Sequence, residues 1–312
     1  MKTRVATPKD GLGEALSLLA AGEPVALPTE TVYGLAAEAL NPAACAKIFE
    51  AKERPLSDPL IVHIPSADWL PRLAATTPLA EALAEKFWPG PLTLVLPRNP
   101  IVPDIATAGQ ETVAIRWSAQ PDFALVASSF ARPLAAPSAN RFGRISPTTA
   151  AHVLAELDGR IPLILDGGPC AHGIESTIAL VHPGRIEILR QGPVTADDLR
   201  AFAPVCTPQS SDIATPGSMK SHYAPRTPLF IEKNPQPLGP RDGLLAWSQN
   251  PSGFFRTEFY SPSQNPREAA ANLYGAMRRL DEAGLDRIVA EPVPETGIGA
   301  AIMERLRKAA AK

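Results

Sequence analysis

The chain is poor in cysteine, in surplus charge and in long apolar runs. Its three cysteines, Cys45, Cys170 and Cys206, stand far apart with no CxxC pair. That argues against a disulfide framework or a structural zinc site, and fits a reducing cytoplasm. No apolar run reaches the roughly 18 residues a membrane-spanning helix needs, so no membrane partner is expected. The N-terminal MKTRVATPKDGLGEAL holds no stretch resembling a signal-peptide core. Formal net charge is −2, with 17 basic against 21 acidic residues in 1–210 and 13 against 11 in 211–312. Neither part has the charge of a nucleic-acid-binding module. The chain also lacks GxxxxGK[ST], HExxH, GxSxG and a GxGxxG after a strand. The phosphate-loop, zincin, hydrolase and dinucleotide readings therefore have no anchor.

What is present is enough material for one large core and a smaller second unit: 312 residues, 45% hydrophobic. The first two-thirds alternate between helical and strand patterns. Helices are expected near 11–21, 42–52, 79–87, 148–157 and 196–202, and strands at 24–28, 60–64, 92–96, 112–117, 163–165, 177–181 and 186–189. This is α/β grammar. Short strands without a helix between some of them predict a twisted, mixed open sheet. From Pro204 to Pro228 prolines and small polar residues break the pattern and mark a linker. Beyond it LFIE, GLLAW, a helix over 266–283, RIVAEPV and a helix over 299–310 predict a small α/β, Rossmann-like domain. The resulting division is 1–205, a linker over 206–228, and 229–312.

The chemistry must come from less generic segments. PTETVYGL, beginning at Pro28, ends a strand in a Thr/Glu/Thr turn, and the helix that follows delivers Lys52 and Arg54 into a proline-bounded loop. Two cations at a helix exit suit a polyphosphate, though they also complement the negative end of that helix. His63 lies within an apolar strand, where a packed, hydrogen-bonded histidine is the plain alternative to a ligand contact. Arg116, inside VAIRW, is costly to bury unless an anion or carboxylate pairs with it. APSANRFGRISPTTA, from Ala136, offers hydroxyls and backbone N–H groups to phosphate or ribose oxygens, or is a polar turn with Ser146 as a helix N-cap and Pro147 behind it. Asp166, Ser176 and Arg190 fall at strand ends or turns, where α/β sheets hold ligands.

PTETVYGL, KERPLSDPLIVHI, APSAN and GIESTI occur in this order over roughly residues 10–205. Together they resemble the L-threonylcarbamoyladenylate synthase family and its YrdC-type domain. SMKSHYAP is similar to the linker of the family's long form, which carries a C-terminal domain. The resemblance implies a threonine side lined by Thr31, His63, Arg116, Ala136 and Ser176. It implies an ATP side lined by Lys52, Arg54, Asp58, Thr112, Ser138, Asn140, Ser146 and Arg190, joined by Tyr223 from the linker, with Lys52 and Arg54 as catalytic cations. Asp58 stands where an asparagine is often found, and is expected to act through bound metal or a ribose hydroxyl.

The reaction implied joins threonine, bicarbonate or carbon dioxide, and ATP to give threonylcarbamoyl-AMP and pyrophosphate, with Mg²⁺ arriving on the nucleotide. The product serves a downstream threonylcarbamoyl transferase that modifies tRNA, which makes a weak tRNA contact conceivable. A site without a nucleophilic triad suits this chemistry, in which positioning and charge neutralisation do most of the work. Tyr223 is expected either to close over the nucleotide as part of a lid or to pack the linker onto the first domain. Two other classes compete: a non-catalytic RNA-binding module, which the near-neutral charge disfavours, and a carbamoyl-transferring domain, whose hydrogenase-maturation examples carry cysteine pairs that this chain lacks.

Overall fold

The computed structural model describes residues 2–206, 213–217, 219, 222–247 and 252–311. In chain order the first eleven strands are β1 (Arg4–Ala6), β2 (Val25–Leu27), β3 (Gly34–Glu38), β4 (Ile61–His63), β5 (Leu92–Pro97), β6 (Thr112–Arg116), β7 (Leu134–Ala135), β8 (Leu163–Leu165), β9 (Thr177–His182), β10 (Arg185–Arg190) and β11 (Val205–Cys206). They form one mixed sheet in the order β1-β8-β2-β3-β7-β4-β6-β5-β9-β10-β11. The apolar stripes of the Pro8–Ala20 and Pro42–Lys52 helices bury Ala15 and Leu19, and Ile48 and Phe49. Asn41 starts the second of these by accepting from the N–H groups of Ala43 and Ala44. Glu53 stops it in the left-handed region at φ 54°, and the chain turns there into the loop carrying Arg54 and Asp58.

The pattern reading missed β1, β3, β7, β11, the Pro121–Phe130 helix and the short Leu70–Leu73 and Asp104–Thr107 helices; β11 pairs in parallel with β10 and so carries the first sheet through Cys206, where the linker was expected to begin. β3 is GLAAE, a sequence of low strand propensity that becomes a strand because β2 and β7 pair with it on either side. The expected N-cap Ser146 is corrected as well. The helix starts at Ala150 with Thr149 as its cap, and the Ser146 hydroxyl instead donates to Glu175 at 2.6 Å.

Four parallel strands, β12 (Leu229–Ile231), β13 (Asp242–Ala246), β14 (Arg256–Phe259) and β15 (Arg287–Ala290), form a second sheet in the order β12-β15-β13-β14. The Pro266–Asp281 and Ile298–Ala310 helices pack beside it. β14 was not expected, because RTEF lacks an apolar run.

This second unit does not hang from a tether. Val32, Ile145, Ile174 and Tyr223 belong to the same apolar cluster as Leu273, Tyr274, Met277, Ile302 and Leu306, so the seam between the units is itself a core. Gly173 fits the seam because it has no Cβ. It sits at φ +69°, and a Cβ there would lie 2.4 Å from the Ala271 backbone. Gly173→Ala is expected to cost about 2 to 4 kcal/mol, combining left-handed strain with overpacking. Urea unfolding measures it, and an unchanged midpoint would show that the Pro266–Asp281 helix gives way freely.

Candidate active site

β4 and β6 run parallel and place His63 opposite Arg116. Ser176 stands immediately before β9, and its Oγ lies 2.7 Å from Thr93 Oγ1 on the neighbouring β5. Pro137 and Ser138 follow β7, and the Thr29–Val32 turn follows β2. These segments line one cleft, and Pro216, Gly217, His222 and Tyr223 of the linker add to its wall.

Of the expected residues, Thr31, Arg54, His63, Arg116, Ala136, Ser138, Ser176, Arg190 and Tyr223 line the cleft; Lys52, Asp58, Thr112, Asn140 and Ser146 do not. Lys52 is buried, and its Nζ donates to the carbonyls of Ser138, at 2.5 Å, and Asn140. It therefore clamps the APSAN loop from behind. Burial, and then Arg54, hold its pKa well below the ordinary lysine value. Asn140 donates to the carbonyls of Arg141 and Arg144 and so sets the same loop. Thr112 lies on the Arg116 face of β6 but four residues away, about 13 Å at strand rise. There the linker also approaches, with Gln110 donating to the Ala214 carbonyl at 3.0 Å.

Asp58 departs from its expectation. Its carboxylate pairs with Arg54, 3.0 Å away and equally buried, so it is committed to that guanidinium rather than open to a metal or a ribose. Arg54 also donates to the carbonyls of Asp58, at 3.1 Å, and Pro59, at 2.7 Å. The loop thus holds Arg54 at the cleft wall.

Arg116 has the carboxylate partner that its burial demands. Nη2 lies 2.8 Å from Glu30, Nη1 donates to Thr31 at 2.9 Å, and Nε donates to the Gly90 carbonyl at 3.2 Å. Burial raises the Glu30 pKa, but Arg116 and the Ser118 hydroxyl more than offset this and hold it at about 2. His63 is buried against Phe123, ring centroids 4.8 Å apart, and its Nδ1 has no hydrogen-bond partner. Burial and then Arg116 depress its pKa to about 3, so the imidazole is neutral. The Tyr223 hydroxyl is likewise buried without a partner. Its ring stacks on Tyr274 at 5.8 Å, so Tyr223 both lines the cleft and packs against the second unit.

Motif reading passed over three residues. Glu30 and Glu175 lay inside quoted motifs, and their signal was a carboxylate among small residues. The third is Arg305, fully buried, whose Nε lies 2.8 Å from Glu175. Nothing in its amphipathic helix sets it apart from a surface arginine.

The buried imidazoles make stability depend on pH. His63 and His222 have folded pKa values of about 3, depressed mainly by burial, against about 6.5 unfolded. Below pH 6.5 the unfolded chain takes up protons that the folded one refuses. Their contribution is therefore complete above 6.5 and is lost as pH falls toward 3. Unfolding free energy is expected to fall between pH 7 and 5 by up to about 1.4 kcal/mol per pH unit for each histidine. Urea titrations check this. A flat profile, or a His222→Gln variant with unchanged slope, would contradict it.

The family described as Telomere recombination matches residues 17–192, and the threonylcarbamoyl-AMP synthase C-terminal domain matches residues 192–311. A Bacillus subtilis threonylcarbamoyl-AMP synthase is 41% identical, covering 96% of this chain and 92% of its own. The chain belongs to the threonylcarbamoyl-AMP synthase family. A Schizosaccharomyces pombe family member is 36% identical, covering 99% of this chain and 91% of its own. The crystal structure of Pyrococcus abyssi Sua5 complexed with L-threonine superposes with a TM-score of 0.90 at 37% identity, covering 99% of this chain and 98% of that one. Making an adenylate is nucleotidyl transfer, and this member of the threonylcarbamoyl-AMP synthase family is an enzyme of that class.

Proposed function

We propose that the chain condenses L-threonine, carbon dioxide or bicarbonate, and ATP into threonylcarbamoyl-AMP and pyrophosphate. The product would be consumed in the cytoplasm by a transferase that modifies tRNA. The observation that carries this reading is one cleft lined by a neutral His63 and Arg116 together with Arg54 and Arg190. One half suits an amino acid and the other a polyphosphate.

On the threonine side, Arg116 receives the carboxylate, with Glu30 keeping the guanidinium fixed. Thr31 and Ser176 offer hydroxyls, and His63 offers an unprotonated nitrogen to the amine or hydroxyl of the substrate. The small side chain of Ala136 leaves room for the bound amino acid. The deprotonated amine attacks the carbon of CO₂ and loses a proton, giving a carbamate. With bicarbonate the same bond forms and water leaves. A carbamate oxygen then attacks the α-phosphorus, and the bond to the β-phosphate breaks to release pyrophosphate. Arg54 and Arg190 neutralise charge developing on the phosphates, while Lys52 holds the Ser138 loop against them.

Mg²⁺ enters as part of the substrate MgATP, since it commonly binds through phosphates and water. A mixed anhydride of this kind hydrolyses readily, which suits a cleft that the linker helps to wall off from water. The decisive experiment measures pyrophosphate release from ATP with threonine and bicarbonate added singly and together. Release that needs both supports the reading, and release that ignores either one overturns it.

A further inference from the structure

The carboxylates around the cleft find their cations within the first unit, with one exception. Arg54 holds Asp58 at 3.0 Å and Arg116 holds Glu30 at 2.8 Å. Glu175, also a lining residue and itself buried, takes its cation from the other side of the seam: Arg305 Nε lies 2.8 Å away. The Tyr274 hydroxyl donates to the same carboxylate at 2.9 Å, and the Ser146 hydroxyl does so at 2.6 Å. Arg305 is fixed in turn. Its Nη2 donates to the Gln191 carbonyl at 2.9 Å, and Glu304, 3.3 Å from Nη1, accepts from the Gln191 N–H at 2.9 Å.

Among the described residues, the cations at the cleft with no carboxylate partner are Lys52 and Arg190. Lys52 is spent on two loop carbonyls. Arg190 donates to the Ser176 carbonyl, the Ser176 hydroxyl and the Pro216 carbonyl, each at 3.0 Å. Arg190 therefore lies beside the residue that follows Glu175. It is also the second cation, after Arg305, acting on the Glu175 carboxylate.

We infer that Arg305 is a positioning residue for the nucleotide side of the cleft: by holding Glu175 from across the domain seam, it leaves Arg190 and its charge to the phosphates of ATP. Without Arg305, the buried Glu175 carboxylate has Arg190 as its remaining cation. Drawing Arg190 onto it would neutralise the one lining arginine that has no carboxylate partner among the described residues and turn the guanidinium away from the ligand. The second unit thus contributes to the site through electrostatics, with none of its described residues lining the cleft.

This inference rests on the proposed ATP site, so the test measures equilibrium binding of MgATP and of threonine to the full chain. Arg305→Met is expected to weaken MgATP by about 10- to 100-fold, the loss of one hydrogen-bonded charge, and to leave threonine affinity unchanged. Arg305→Met/Glu175→Gln is expected to restore MgATP binding, because an amide makes no claim on Arg190. If Arg305→Met does not fold, Glu175→Gln alone decides. Arg305 keeps Glu304 as a partner there, and MgATP is expected to bind at least as tightly as in the wild type. Equal loss of both ligands in Arg305→Met, a loss that Glu175→Gln does not restore, or weaker MgATP binding by Glu175→Gln alone would overturn the inference. So would unchanged binding with only a lowered Tm. A wild-type chain that binds no MgATP would instead refute the proposed function.

Discussion

Arg116→Ala is expected to weaken threonine binding by about 30- to 1000-fold while changing ATP binding little. A desolvated guanidinium that pairs with a carboxylate is worth roughly 2 to 4 kcal/mol. The structure adds a second effect. Removing Arg116 strands Glu30, which it holds at 2.8 Å in a buried turn, and breaking such a pair costs about 3 to 5 kcal/mol of stability. The single variant is therefore compared with Arg116→Ala/Glu30→Gln, in which no unpaired carboxylate remains. The double variant should regain stability but not threonine affinity. Isothermal titration with threonine measures this directly, and unchanged affinity in either folded variant would remove Arg116 from the threonine site.

Lys52→Ala and Arg54→Ala are both expected to lower kcat/KM for ATP with threonine binding nearly intact, for different reasons. Lys52 acts from behind, and its loss frees the Ser138 and Asn140 carbonyls. Two charge-assisted hydrogen bonds disappear, and turnover should fall on the order of 10- to 100-fold as the loop loosens. Arg54 acts from the cleft wall, and its loss also leaves Asp58 buried without its partner. Arg54→Ala should therefore be the less stable variant, and adding Asp58→Asn should recover stability without recovering turnover. Initial rates of pyrophosphate release at varied ATP decide the matter. Wild-type rates in both single variants would reduce these cations to helix-end charges.

Local grammar carried much of the fold. The Pro42–Lys52 helix was legible to the residue, because Asn41 and Pro42 mark its start and its apolar positions recur at helical spacing. β8 was equally plain as LIL between turn residues. β3 and β7 were not, since GLAAE and a two-residue LA become strands only when neighbours pair with them. The site was legible to the extent that its residues fall in compact motifs. Thr31, His63, Arg116, Ser176 and Arg190 all line the one cleft. What Lys52 and Asp58 do there was not legible, since a sequence shows that a charge is present but not which group satisfies it.

The sequence by itself determined the α/β class and the presence of a second, smaller unit. Caps, period and turn residues act over a few positions, and the motifs are contiguous. Only the tertiary structure decided that the second unit shares a core with the first and that Arg305 answers Glu175 across 130 residues. It likewise decided that Tyr223 is a buried wall of the cleft. Burial sets these outcomes: a charge removed from water must find its opposite wherever the fold places it, and sequence distance has no part in that cost.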